Sequence, residues 1–233
     1  MLKVLLAPKI APDLLQAPRG EYRNASQLAA AANVSVMSAF RFVRQLRLEG
    51  FLDESNAILS LVRLDDLFRR WQAESLRPAR DVPLRWILRG DPARQLHDAL
   101  RALVSESAAP LSRSRRAASP PRVCLGLFAA ADAHGLGFVH GVAPFVYVDR
   151  LDPGVLERLG LSLEAPGDSP DVYVRVPASR ESVFRAAVRR DGVPVFDAVQ
   201  VWLDAGADPS RGAEQADLIY RRVLRPLQEK ARR

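Results

Sequence analysis

The stretch NASQLAAAANVSVMSAFRFVRQLRLEGFL, Asn24–Leu52, decides the fold of the first part of this chain. Its alanine-rich beginning predicts a short helix over Gln27–Ala32, with Asn24 or Ser26 as the N-terminal cap. Asn33 and Val34, which follow the alanine run, are expected to end this helix and to form a tight turn.

A second helix is predicted over Val36–Glu49, with Ser35 as its cap. Gly50 then stands where a left-handed residue is favoured after the end of a helix. Two short helices joined by a tight turn are typical of a helix-turn-helix. After these helices in the sequence, Phe51–Asp53 and Ile58–Val62 predict a hairpin, which indicates the winged variant of that motif.

This second helix is expected to have two different faces. Apolar residues at intervals of three and four are predicted to face the core, namely Val36, Ala39, Phe40, Val43 and Leu46. The other face carries groups that read base edges or grip phosphates. The predicted DNA-binding residues are Ser35, Met37, Ser38, Arg41, Arg44 and Gln45. The alternative is an ordinary helical hairpin with a solvated polar face, and the agreement of caps, turn and hairpin favours DNA binding.

The tip of the predicted hairpin, Asp53–Asn56, is acidic. A wing that grips DNA usually carries cations, because the DNA backbone is a polyanion. We therefore expect the hairpin to be mainly structural and the second helix to make the DNA contacts.

The composition is that of a soluble globular protein, with 233 residues, 48% hydrophobic and 26% charged. This length allows two modest domains. The single cysteine, Cys124, excludes a disulfide framework and a thiolate metal cluster. Neither a transmembrane run nor a signal peptide is recognisable, so we expect a cytoplasmic protein that does not associate with membranes.

The net charge of +7 is placed unevenly along the sequence. Residues 1–118 hold 19 Lys and Arg against 12 Asp and Glu, whereas residues 119–233 hold 15 of each kind. Because neutralisation of phosphates supplies most non-specific affinity for DNA, this distribution favours a polyanion partner for the first half of the chain.

The predicted fold class is α+β, with an N-terminal winged helix-turn-helix followed by a mixed α/β C-terminal domain. The winged helix is expected over residues 1–75 and includes an amphipathic helix over Leu64–Glu74. A connector over 76–118 contains a predicted strand, a helix that Asp91 caps, and the start of a Ser-, Pro- and Arg-rich linker, Ser105–Arg122. The C-terminal domain is expected over 119–233.

Strands and helices alternate in the predicted C-terminal domain. Its strands are expected at Phe145–Val148, Asp171–Val176 and Val193–Phe196. Its helices are expected at Leu127–Ala133, Pro153–Leu159, Glu181–Val188, Ala198–Ala205 and Ala213–Lys230.

No convincing active site is recognisable, and we expect a protein that is not an enzyme and has no cofactor or metal. The glycines from Gly135 to Gly141 lack the spacing of a phosphate-binding loop. His134 and His140 do not share a metal-ligand spacing with a third residue. A polar cluster in the last third is interpreted as a structural salt-bridge network, and consists of Asp197, Asp204, Arg211 and Glu214.

The segment VPVFDAVQVWLDAGADPSRGAEQADLIYRRVL, Val193–Leu224, resembles the end of AbiEi-type antitoxins of type IV toxin–antitoxin systems. The residues that match the pattern of that family are Gln200, Leu203, Asp204, Arg211, Gly212, Glu214 and Ala216. The helix Leu64–Trp71 and the segment Gly126–Phe138 also look like that family. The resemblance implies a DNA-binding antitoxin that represses its own operon. It would also counteract a nucleotidyltransferase toxin, without necessarily forming a stable complex.

Two other functions remain open from the sequence. The first is a nuclease or nucleotidyl-processing enzyme that a winged helix targets to DNA, with Asp197, Asp204 and Glu214 as its candidate carboxylates. The second is a winged-helix repressor that responds to a small molecule, with an effector pocket formed by Gly135–Val148.

Overall fold

The computed structural model describes residues 1–75, 79–88, 90–108, 122–163 and 169–231. Contacts between Cα atoms divide the chain into two compact units. The helical unit combines Met1–Leu76 with Asp197–Arg233, and the sheet unit is Arg77–Phe196. The chain is a mixed α/β protein.

The helical unit contains helices from both ends of the chain. Its first four helices are α1 (Leu2–Leu6), α2 (Ala25–Ala32), α3 (Val36–Leu48) and α4 (Leu64–Ser75). A 3₁₀ turn, Ala7–Lys9, follows α1. Three C-terminal helices complete the unit: α9 (Ala198–Gly206), α10 (Gly212–Ile219) and, after a π-helical turn at Tyr220–Leu224, α11 (Arg225–Ala231).

Helix α9 occupies the core of the helical unit. All of its side chains from Ala198 to Leu203 are buried. Its Trp202 packs edge-on against Phe68 of α4, with ring centroids 5.8 Å apart, and also against Trp71. The backbone N–H of Ala198 donates a hydrogen bond to the carbonyl oxygen of Leu14, 2.8 Å away. These contacts cover the apolar face of α4, which would otherwise be exposed to water.

The sheet unit is built on a sheet that has seven strands in the described ranges. The strands are β1 (Arg80–Trp86), β2 (Val123–Gly126), β3 (Phe145–Val148), β4 (Leu161–Ser162), β5 (Val172–Val176), β6 (Val188–Arg190) and β7 (Val193–Val195). Their spatial order is β4-β1-β5-β3-β2-β7-β6. The β3–β5 and β2–β7 pairs are parallel, and the remaining neighbours are antiparallel.

Within its described residues the sheet unit has four helices, namely α5 (Pro92–Ala108), α6 (Leu127–Ala133), α7 (Pro153–Arg158) and α8 (Arg180–Phe184). Helix α5 buries Leu96, Leu100 and Leu103, which recur every three or four residues on one face. The predicted cap of α5 is confirmed, because the Asp91 carboxylate accepts a hydrogen bond from the N–H of Arg94 at 3.1 Å.

Most elements of the sheet unit follow the sequence patterns, but one predicted helix ends early and three short strands were not predicted. The predicted helix Glu181–Val188 is wrong at its C-terminal end, because α8 stops at Phe184 and Val188 begins β6. The unpredicted strands are β2, β4 and β6, which have four, two and three residues and are too short to show an alternating pattern. The predicted linker Ser105–Arg122 overlaps the end of α5, and residues 109–121 lie outside the described part of the chain.

The compact units differ from the predicted division at 75 and 118. The prediction grouped residues 119–233, whereas the contacts group Asp197–Arg233 with Met1–Leu76. Counted by compact unit, the helical unit holds 17 Lys and Arg against 14 Asp and Glu, and the sheet unit 17 against 13. The net charges, +3 and +4, are therefore nearly equal, and any cationic site has to be a local one. Among the described residues, none of the helices combines the length and apolarity that crossing a bilayer requires.

Candidate nucleic-acid interface

Side-chain caps fix the ends of α2 and α3. The Asn24 side chain accepts a hydrogen bond from the N–H of Gln27 at 3.0 Å, which confirms the first of the two predicted caps. Asn33 ends α2 in the left-handed conformation, with φ of 49°. Ser35 caps α3 by accepting from the N–H of Ser38 at 3.1 Å, as predicted. The turn between the helices is therefore set by local chemistry.

The buried face of α3 is narrower than its sequence suggests. Ala39, Val43 and Leu46 are buried, and they pack in the core of the helical unit. The prediction that Val36 and Phe40 face the core is wrong, because they are 53% and 54% exposed. Val36 lies in the first turn, beyond the packed part of the helix. The half-buried Phe42 lies on the other flank, so the buried stripe is turned toward it and away from Phe40.

All six predicted DNA-binding residues are exposed, but they differ in their contacts. The Ser38 hydroxyl lies 2.8 Å from the hydroxyl of the capping Ser35. The Gln45 amide donates a hydrogen bond to the carboxylate of Glu49. Within the described part of the chain, no hydrogen bond or ion pair engages the side chains of the remaining three, which are Met37, Arg41 and Arg44.

Three cationic side chains line the exposed side of α3. They are Arg41, Arg44 and Arg47. Arg47 was not among the predicted DNA-binding residues, although it continues the three-residue spacing from Arg44. All three are exposed, and none has a carboxylate partner among the residues that the structure describes. At about 100° per residue, Arg41 lies roughly opposite the buried Ala39 and Val43, and Arg44 lies about 60° from Arg41 on the flank of that side. Arg41 and Arg44 therefore present positive charge that forms no ion pair with a described acidic side chain.

Glu49 attaches the C-terminal end of α3 to α4. Its carboxylate forms an ion pair with Arg70 at 2.8 Å, and its carbonyl oxygen accepts from Arg63 at 3.3 Å. Arg63 also pairs with Asp66 at 2.8 Å. Gly50 follows with φ of +69°, a conformation that favours glycine, so the chain turns away from α3 at this point. These contacts hold the orientation of α3 within the helical unit.

The segment between α3 and α4 folds back on itself. Leu52 and Leu61 form an antiparallel bridge, and the N–H of Asp53 donates to the carbonyl oxygen of Ser60 at 2.9 Å. On the other side, the N–H of Leu59 donates to the carbonyl oxygen of Tyr22 at 2.6 Å. The two predicted arms of the hairpin therefore lie side by side, although the only ladder pair here is the single bridge Leu52–Leu61.

The tip of this segment is held by its own side chains. Ser55 donates hydrogen bonds from its hydroxyl and its backbone N–H to Asp53, and these lower the pKa of that carboxyl group. A cleft of about 280 Å³ lies beside the tip, and Arg23 and Arg47 are among its lining residues. The acidic tip thus has Arg23 and Arg47 close to it, whereas Arg41 and Arg44 of α3 do not line this cleft.

The polar residues of the last third fall into two groups, Asp197 with Asp204 around Gln200, and Arg211 with Glu214. Asp197 is fully buried, and its carboxylate pairs with Lys3 at 2.7 Å while also capping α9 through the N–H of Gln200 at 3.0 Å. Asp204 accepts from the Gln200 amide at 2.9 Å. Arg211 and Glu214 form an exposed ion pair at 3.6 Å. The three candidate carboxylates are thus engaged by an ammonium group, an amide and a guanidinium group respectively.

Several residues of the antitoxin-like pattern have packing roles. Leu203 and Ala216 are buried. Gly212 begins α10 so close to α9 that a β-carbon there would collide with the carbonyl oxygen of Ala205. Gln200 links Lys3 to Asp204 by accepting a hydrogen bond from one and donating to the other. Gly212 thus allows α9 and α10 to approach closely, and Gln200 connects α9 to Lys3 of α1.

The glycine-rich region of the sheet unit encloses little space. A cleft lined by residues of 128–145 has a volume of about 90 Å³, below the roughly 300–1,000 Å³ of typical ligand pockets. His140 lies 3.4 Å from the Asp132 carboxylate, and burial raises the pKa of Asp132 despite that contact. His134 is engaged elsewhere, with its Nε2 2.7 Å from the carbonyl oxygen of Phe196.

In the described ranges, no three His, Cys, Asp or Glu residues form a group that could hold a metal ion. A larger groove, of about 650 Å³, lies in the helical unit between α4, α9 and α10. Of its three aromatic lining residues, Phe68 and Trp202 are almost fully buried and Tyr220 is half-buried. Comparisons with protein-family models, curated proteins and solved structures find no match to this chain.

Proposed function

We propose that this chain is a DNA-binding transcriptional regulator. In this proposal α2, α3 and the folded-back segment 51–62 form a winged helix-turn-helix, and α3 enters the major groove of duplex DNA. The observation that carries the proposal is the row of exposed arginines on α3, Arg41, Arg44 and Arg47, which pair with no described carboxylate. Such side chains are suited to phosphates and to the O6 and N7 atoms of guanine.

The surroundings of α3 support the same function. The helix is capped by Ser35 at its N-terminal end and tied to α4 through Glu49 and Arg70 at the other. A recognition helix has to be held rigidly, because base-edge contacts depend on sub-ångström placement. The capping of α3 and the ion pair at its other end provide such support.

Salt-dependent binding tests the proposal. We expect the full chain to bind duplex DNA, measured by fluorescence anisotropy with the region upstream of its own gene and with an unrelated duplex. The slope of log K against log salt should fall in magnitude by roughly 2–3 in the triple variant Arg41→Ala, Arg44→Ala, Arg47→Ala, since each phosphate contact contributes about 0.9.

A variant with the same loss of charge elsewhere provides the control. Arg94, Arg158 and Arg189 are exposed on the sheet unit, and replacing all three by alanine should leave the salt slope near that of the wild type. If both triple variants changed the slope equally, general charge rather than α3 would carry the binding. Absence of any duplex binding at about 50 mM salt would contradict the proposed function itself.

From the sequence resemblance we propose the more specific role of an autoregulating antitoxin of a type IV system, which counteracts a nucleotidyltransferase toxin functionally. The gene neighbourhood tests this role. We expect an adjoining reading frame for a nucleotidyltransferase whose inhibition of growth is relieved when this chain is co-expressed. Undiminished inhibition would contradict the antitoxin role and leave the DNA-binding proposal standing.

A further inference from the structure

Helix α3 exposes three large apolar side chains in its first two turns. Val36, Met37 and Phe40 are 53%, 61% and 54% exposed, and we call these three residues the apolar patch of α3. Large apolar side chains grouped on one surface mark an interaction site, because their exposure to water is unfavourable. The patch lies on the part of the helix that, in helix-turn-helix proteins, faces the bases.

The patch is interleaved with cations. Met37, Phe40, Arg41 and Arg44 follow one another at spacings of three, one and three residues, so they share one side of α3. Neither arginine is paired with an acidic side chain in the described ranges. An apolar surface bordered by unpaired cations is complementary to a partner that is both polyanionic and locally apolar. Duplex DNA has both properties in its major groove.

Apolar side chains can recognise only one feature of the base edges. Val36, Met37 and Phe40 have no group that makes a strong hydrogen bond, whereas the major groove otherwise presents donors and acceptors. The exception is the C5-methyl group of thymine, which apolar side chains contact. The polar neighbours Ser38 and Gln45 are already hydrogen-bonded, to Ser35 and Glu49.

We infer that the apolar patch of α3 contacts thymine methyl groups, so that the DNA recognised by this chain carries thymines at the positions that face Met37 and Phe40. This inference rests on the proposed DNA-binding function and names the substrate class of that site. Arg41 and Arg44, farther along the same side, contact phosphates or guanines next to those thymines.

Replacement of thymine by uracil tests the inference, since deoxyuridine pairs like thymidine but lacks the methyl group. A duplex of about 20 base pairs, two helical turns, is first selected by the full chain from a random pool. It is then synthesised again with deoxyuridine in place of thymidine. We expect binding to weaken roughly fourfold for each contacted methyl group, which corresponds to burial of one methylene equivalent.

Variants of the patch make the assignment specific. Met37→Ala and Phe40→Ala should bind the thymidine duplex more weakly and lose most of the difference between the two duplexes. Leu48→Ala is the matched control, because Leu48 is 73% exposed but lies in the last turn of α3. That variant should keep the full difference. Thermal melts check that each variant folds. Binding of the wild-type protein to the two duplexes tests the inference even if a variant does not fold.

Three outcomes would overturn the inference. Equal, salt-dependent binding of both duplexes by the wild type would refute thymine recognition and leave DNA binding intact. An unchanged difference in Met37→Ala and Phe40→Ala would place the methyl contacts elsewhere. A concentration-dependent dimer in sedimentation, abolished by Met37→Ala, would show that a second copy of the chain covers the patch. Failure to bind or select any duplex would instead contradict the proposed function.

Discussion

Arg41 and Val43 lie two residues apart on α3 and face opposite ways. Arg41 is exposed and has no partner among the described side chains, whereas Val43 is only 5% exposed. An exposed arginine contributes little to stability, but a buried valine contributes through the apolar area that it removes from water. The two residues therefore separate the proposed DNA face from the core of the helical unit.

We expect Arg41→Ala to melt like the wild type and to bind DNA about 1–3 kcal/mol more weakly if Arg41 makes a bidentate base contact. Val43→Ala should lose about 2 kcal/mol of unfolding free energy, for the methyl groups removed and the cavity left. Thermal melts and anisotropy titrations on both variants measure these effects. An early melt for Arg41→Ala with a normal melt for Val43→Ala would mean that the faces of α3 are assigned in reverse.

Residue-scale prediction from sequence worked where the chemistry is local. The caps Asn24, Ser35 and Asp91 each bond to a backbone N–H three residues away, so their neighbours in sequence are sufficient to identify them. The positions of Val36 and Phe40 were not predictable in this way. An apolar side chain on a helix can be buried in a core, but the packing of the rest of the unit decides whether it is buried or exposed.

At the scale of elements, α9 is joined to the N-terminal segment through the buried pair of Asp197 and Lys3. The Asp197 side chain is fully buried and that of Lys3 is 13% exposed. Removing one member of such a pair leaves a buried charge without compensation, which typically costs 3–5 kcal/mol. Asp197 also caps α9, so its loss removes a second interaction.

We therefore expect Asp197→Ala to lower the unfolding free energy by about 3–5 kcal/mol. Glu214→Ala is the control, since its ion pair with Arg211 is exposed and such pairs contribute at most about 1 kcal/mol. Urea denaturation of the two variants gives the comparison. A stable Asp197→Ala protein that had lost a metal-dependent nuclease activity of the wild type would support the enzyme alternative instead.

At the scale of the whole molecule, the chain leaves the helical unit after α4 and returns to it at α9. The return was not predictable from the sequence, because the contacts that establish it join residues nearly 200 positions apart, such as Lys3 and Asp197. The sequence showed the mixed α/β class and most of the strands. It did not show that the last three helices pack with the first four.

This arrangement changes which fragments are expected to fold. Residues 1–118 lack α9 and leave Phe68 and Trp71 of α4 uncovered, so we expect that fragment to be unstable or to aggregate. Residues 1–75 joined to 197–233 by a flexible linker should fold cooperatively and bind DNA. Circular dichroism melts of both fragments test this division. A cooperative melt for 1–118 that equals that of the linked fragment would contradict it.

Met37 of α3 provides a direct test of whether this helix contacts DNA. The chain contains two methionines, Met1 at the start of α1 and Met37 in the apolar patch of α3. With ¹³C-labelled methionine methyl groups, a spectrum of the full chain should show one signal for each. On titration with duplex DNA we expect the Met37 signal to shift or broaden more than that of Met1. A Met37 signal that stays unchanged at saturating DNA would contradict a contact between α3 and DNA.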